Sequence, residues 1–134
     1  MDTNTTLRYP RSSYFWTGIQ EINKLISLKF AGGTITHDDL SLLQEGAVSE
    51  QVDLLKEDML QVEFAGGFLL DVGWYPEFDA AGGFRINVIR NYDWGRPVVA
   101  LTAHETAELL EKLDIAQNAI NGELHNSSLG SSAF

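Results

Sequence analysis

The chain has 134 residues, 9 Lys+Arg against 19 Asp+Glu for a formal net charge of −10, and no cysteine. One domain is the expectation at this length, and the missing thiols exclude a disulfide framework, a thiolate zinc centre and a cysteine nucleophile. So acidic a balance argues against direct binding to nucleic acid, which takes clustered Lys and Arg, and points to a basic partner or to plain solubility.

The first eleven residues are polar. Met1 to Thr6 has no basic stretch leading into an apolar one, and no apolar run approaches the ~20 residues that span a bilayer. A cytoplasmic protein with no membrane contact is expected. From Ser12, Phe15, Ile19, Ile22 and Ile26 fall on one helical face, and Gly32-Gly33 ends the segment. Thr36 to Asp58 then predicts a second helical region in two pieces. Thr36-His37-Asp38-Asp39 opens it, with acids where a helix dipole favours them. Gly46 breaks it. Val48, Val52, Leu55 and Met59 continue at helical spacing, with acids facing outward.

Near Leu60 the apolar period changes from 3.6 to 2. Leu60, Val62 and Phe64 predict a first strand, and Gly66-Gly67 a tight turn that uses glycine's access to positive φ. In the second strand, Phe68 to Tyr75, the residues Phe68, Leu70, Val72 and Trp74 share one face. Pro76 ends it. Phe84, Ile86 and Val88 mark a third strand, and Val98 to Leu101 a short fourth. The tetrapeptide Phe30-Ala31-Gly32-Gly33 recurs as Phe64-Ala65-Gly66-Gly67, but its flanks differ, so it does not predict a repeat architecture.

Thr102-Ala103-His104-Glu105 has the form of a capping box. Leu109, Leu113, Ala116 and Ile120 form the stripe of a last helix, with Asn121-Gly122 as its stop. This gives an α+β fold: N-terminal helices, a four-stranded antiparallel meander and a C-terminal helix packed on one face, the other face partly open. Residues 1–122 form the domain, and 123–134 a flexible Ser-rich tail.

Catalytic signatures are missing. His37, His104 and His125 include no i, i+4 pair for a metal, and there is no G-x-S-x-G, phosphate loop or G-x-G-x-x-G. Neither a metal nor a cofactor is expected, and the chain reads as no enzyme. The unusual feature is a mixture of aromatics and acids: Asp71-Val72-Gly73-Trp74-Tyr75-Pro76-Glu77-Phe78-Asp79, then Tyr92-Asp93-Trp94. Aromatics supply desolvated anchors at protein interfaces, and acids steer a basic partner. Asp71, Trp74, Tyr75, Glu77, Asp79, Asp93 and Trp94 are the candidate partner contacts. Asp53, Glu57 and Asp58 form a rival acidic patch. In a meander, consecutive turns lie at opposite ends, so the 71–79 and 92–94 stretches need not meet.

Leu69-Leu70-Asp71-Val72-Gly73-Trp74-Tyr75-Pro76-Glu77-Phe78-Asp79, with Phe84-Arg85-Ile86-Asn87-Val88-Ile89-Arg90 and Asp93-Trp94, resembles immunity proteins of bacterial contact-dependent growth inhibition and other polymorphic toxin systems. The likeness covers roughly residues 60–120 and is not a catalytic motif. It implies a cytoplasmic antitoxin that binds the C-terminal domain of a cognate toxin, often a basic nuclease, and covers its active site. A nuclease cleft is positive, so an acidic inhibitor suits it. Two alternatives stand beside this reading. One is an acidic dimeric secretion chaperone that binds an effector segment. The other is a small hydrolase using carboxylates such as Asp71 and Glu77.

Overall fold

The computed structural model describes residues 30, 32–44 and 46–132. The helix predicted from Ser12 to the double glycine lies outside these residues. Among the described residues five strands, β1 (Thr34–Asp38), β2 (Leu60–Glu63), β3 (Phe68–Tyr75), β4 (Gly83–Arg90) and β5 (Val99–Ala103), precede one α-helix, α1 (Thr106–Ser132). All neighbouring strands are antiparallel and lie in chain order, β1-β2-β3-β4-β5. The α+β class and the meander agree with the sequence; the strand number and the region before β2 do not.

The predicted helical region Thr36–Asp58 is instead β1 followed by three single turns of 3-10 helix, Leu40–Leu42, Val48–Glu50 and Val52–Leu54. Two physical causes are visible. Thr34, Ile35 and Thr36 are β-branched, which favours extended backbone, and β2 offers them a ladder: Thr34 pairs with Glu63, Ile35 with Val62 and His37 with Gln61, with a bulge at Thr36. Gly46 then takes φ 112, which no helix admits. Single turns still seat Leu40, Leu43, Val48, Leu55 and Met59 in the core. Helical spacing is thus satisfied without a helix.

The β2–β3 turn follows expectation, with Gly66 at φ 77 and Gly67 at φ 80. One sheet face carries Leu60, Val62, Phe68, Leu70, Val72, Trp74, Phe84, Ile86, Val88 and Ala103, and α1 sets Leu109, Leu113, Ala116 and Ile120 against them. Trp74 and Phe84 meet edge to face at 4.9 Å, a geometry worth about 0.5–1.5 kcal/mol beyond buried area. Phe30 and Phe64, one from each matching tetrapeptide, also meet edge to face at 6.3 Å. The second face is less open than the sequence predicts, because Leu69, Asp71 and Ile89 are buried there as well.

The helix also departs from expectation at both ends. Thr102 and Ala103 belong to β5, so the predicted capping box does not form. Glu108 does the capping, accepting the His104 N–H at 2.7 Å. At the far end α1 does not stop at Gly122 but runs on to Ser132, through the segment predicted to be a tail. An interior glycine costs a helix only about 1 kcal/mol, and the stripe has a further member. Leu124, four residues beyond Ile120, packs against the core.

Candidate functional site

The two ends of the sheet differ in chemistry. At one end the chain between β1 and β2 passes along the end of β3 and the β3–β4 loop. Three backbone hydrogen bonds fix it there: Met59 N–H to Val72 C=O at 2.9 Å, Trp74 N–H to Lys56 C=O at 2.7 Å, and Phe78 N–H to Leu55 C=O at 2.7 Å. Gly73 makes this approach possible. A Cβ there would overlap the Glu57 carbonyl oxygen and lie 2.8 Å from the Glu57 carbonyl carbon. The result sets Glu57 beside Glu77, whose Oε1 accepts the Glu57 N–H at 3.2 Å.

Around this junction Asp53, Glu57, Asp58, Glu77 and Asp79 are exposed, and none is ion-paired among the described residues. Among the described residues, two nearby cations are engaged elsewhere. Lys56 Nζ holds Asp39 Oδ2 at 2.8 Å, which pulls the Asp39 carboxyl below the usual carboxylate range. The Arg85 guanidinium stacks over the Tyr75 ring at 4.7 Å. Asp38 is used internally, accepting from the Ser41 backbone N–H and hydroxyl. Tyr75 registers the negative field: burial, and then the charges of Asp71, Glu57 and Asp58, raise its phenol pKa.

Phe78 stands between Glu77 and Asp79 and is tied by its N–H to Leu55, two residues before Glu57. It is 53% exposed and adopts φ 61, a left-handed conformation that is strained for a bulky residue. Two contacts hold it there: its own N–H bonds to Leu55, and the Trp74 indole N–H donates to the Asp79 carbonyl at 2.8 Å. Asp79 Oδ1 also accepts the Ala81 N–H at 2.8 Å.

The seven candidate contacts therefore separate. Asp71 and Trp74, at 4% and 1% exposure, are interior and offer no docking surface. Trp74 belongs to the α1-facing core. Asp71 lies on the other face, where Gln61 Nε2 donates to its Oδ1 at 3.0 Å and desolvation raises its pKa. Tyr75 is half-buried. Glu77 and Asp79 sit at the acidic end. Asp93 and Trp94 are exposed in the β4–β5 loop, at the opposite end of β3 and β4, since Tyr75 pairs with Gly83 and Phe68 with Arg90. Eight residues of strand separate the two loops by about 23 Å. The rival patch touches the first at one point: the Glu57 N–H bonds Glu77 Oε1, Asp58 is the next residue in the chain, and Asp53 lies two residues before Leu55.

Phe78 is the residue that sequence reasoning passed over. Its available signal was position, since it follows Pro76 in a loop and is flanked by Glu77 and Asp79. Among the described residues no group of three His, Cys, Asp or Glu side chains could hold a metal ion, and no helix is long and apolar enough to cross a membrane. No protein-family profile, curated protein or solved structure matches the chain.

Proposed function

We propose that the chain is a non-enzymatic immunity protein. It binds the C-terminal domain of a cognate toxin, a basic nuclease of a contact-dependent growth inhibition system, and covers the active site in the cytoplasm. The docking surface is the acidic end of the sheet, with Phe78 as anchor. The observation that carries this reading is Phe78 itself, an exposed aromatic in a strained conformation, flanked by the exposed carboxylates of Glu77 and Asp79, which make no ion pair among the described residues. Interface energy concentrates in such anchors, with charge around them setting the rate and choice of partner.

Co-expression with the product of the gene immediately upstream tests the proposal. The expected result is a 1:1 complex per chain, weakened by salt, and rescue from growth arrest. Absence of both overturns it. The Glu57→Lys/Asp58→Lys/Glu77→Lys variant loses protection, whereas Asp93→Lys and Trp94→Ala keep it; the reverse pattern moves the site to the β4–β5 loop. Binding of unfolded effector segments in place of a folded domain would favour the chaperone.

A further inference from the structure

The second face of the sheet, turned away from α1, carries a buried patch at its centre. Leu69 and Asp71 on β3 are 6% and 4% exposed, and Ile89 on β4 is 0% exposed. Gln61 and Asn87 beside them are half-buried. Around the patch the same face is open: Glu63 on β2, Arg85 on β4, and Ala100 and Thr102 on β5 are exposed. Side chains stand roughly perpendicular to a sheet, so an isoleucine on a bare face keeps contact with water. Ile89 has none. The described α-helix lies on the other face, and the buried residues from Leu40 to Met59 join it in one core cluster that excludes Leu69 and Ile89.

The patch has the dimensions of one helix. It is two strands wide, about 10 Å, and a helix with its side chains is about 10–12 Å across. Residues 1–29 precede the described chain, and among them Phe15, Ile19, Ile22 and Ile26 are spaced as one helical face. That stripe extends about 17 Å along a helix axis, against about 13 Å along β3 from Leu69 to Gly73. The chain also arrives at the right place. Phe30 packs edge to face with Phe64, the residue after β2, and Glu63 at the end of β2 pairs with Leu69. Charge agrees. Residues 1–29 hold four cations against two acids, a balance of +2, and residues 30–134 hold five against seventeen, a balance of −12. A basic segment is drawn to an acidic body.

We propose that residues 12–29 dock as an amphipathic helix on the second face of the sheet, with Ile19, Ile22 and Ile26 over Leu69 and Ile89. The sheet is then covered on both sides, by α1 on one and by the N-terminal segment on the other. Removal of both sets of aliphatic side chains from water drives the docking, and the opposite charges of segment and body support it. Phe78 takes no part, so the docking is independent of the proposed immunity function.

Methyl nuclear Overhauser spectroscopy on the full chain tests the docking. Cross-peaks are expected from the Ile89 or Leu69 methyls to those of Ile19, Ile22 or Ile26. They arise within one chain, so a sample mixed from labelled and unlabelled copies shows none between chains. Ile22→Ser/Ile26→Ser lowers the urea midpoint and shifts the Ile89 methyl resonance, whereas Ile115→Ser, at an exposed position of α1, leaves that resonance in place. Wild-type spectra without the cross-peaks overturn the proposal. So do cross-peaks found only between chains, which make a second copy the occupant, and an Ile89 resonance that Ile22→Ser/Ile26→Ser does not move. The wild-type spectrum decides the matter even where the double variant fails to fold.

Discussion

Gly73→Ala tests whether the acidic end is assembled by the close approach of residues 56–58 to β3. The added Cβ would overlap the Glu57 carbonyl oxygen, with the carbonyl carbon at 2.8 Å. Both atoms are backbone, so no rotamer change relieves the contact; the 56–58 segment must move away. That movement breaks the 2.7 Å bond from Trp74 N–H to Lys56 and the 3.4 Å bond from the Tyr75 hydroxyl to Glu57. An unsatisfied buried donor costs about 1–3 kcal/mol and a further lost bond about 1. The expected loss is therefore about 2–4 kcal/mol, a large share of the 5–15 typical of a domain. In thermal unfolding it appears as a drop of roughly 10 °C. Urea unfolding of wild type and variant measures it, with the midpoint lowered. The same variant loses partner binding in excess of its unfolded fraction, because Glu57 and Asp58 leave Glu77. A midpoint change equivalent to less than about 0.5 kcal/mol, the range of an ordinary surface substitution, refutes the reasoning.

Three further outcomes are expected. Asp71→Asn raises stability at neutral pH and has no effect in acid. Burial raises the native Asp71 pKa, so the wild type holds its full contribution below the unfolded value and loses it as pH rises through the folded one; urea midpoints from pH 3 to 8 read this, and a destabilised Asp71→Asn at pH 7 contradicts it. Phe78→Gly leaves stability within about 1 kcal/mol, since relief of left-handed strain offsets the entropy of a new glycine, yet it weakens partner binding by about 2 kcal/mol or more; calorimetry on variant and complex separates the two effects. Gln117→Leu stabilises by about 1 kcal/mol, because the 5%-exposed Gln117 has an Oε1 that is buried without a hydrogen bond among the described residues, and the bond its Nε2 donates goes to the exposed Asn121, which water can serve instead; a lowered urea midpoint counts against it.

The parts of the fold legible in the sequence are those where one physical rule acts alone. Alternation from Leu60 to Val88 defines β2, β3 and β4, because their α1-facing residues are apolar without interruption. β1 escaped because Ile35 is its only large aliphatic residue, and its first three positions are exposed. Residues 40–58 misled for the opposite reason: their leucines and valines, Leu42 excepted, are needed by the core, but isolated turns deliver them as well as a helix does. Trp74 shows a conflict between two rules. Its alternation with Phe68, Leu70 and Val72 already placed it inward, while its aromatic character suggested an anchor; the sheet position prevails.

The candidate site was legible as composition but not as geometry. Glu57 and Glu77 are twenty positions apart, and what joins them is the side chain Gly73 lacks, visible only once the backbone of Glu57 is known to pass there. The assembled site also gives the net charge a location. Lys56 is committed to Asp39 and Arg85 to the Tyr75 ring, and among the described residues no cation pairs with Glu57, Asp58, Glu77 or Asp79. Like charges gathered at one end of a sheet oppose folding, although solvent and salt screen most of that repulsion. A cationic surface placed over them converts repulsion into attraction, while Phe78 gives up its exposed ring area to the same contact. Free and bound states therefore respond to salt with opposite sign, the free chain gaining stability and the complex losing affinity. A set of acids that served only solubility would give the first response without the second.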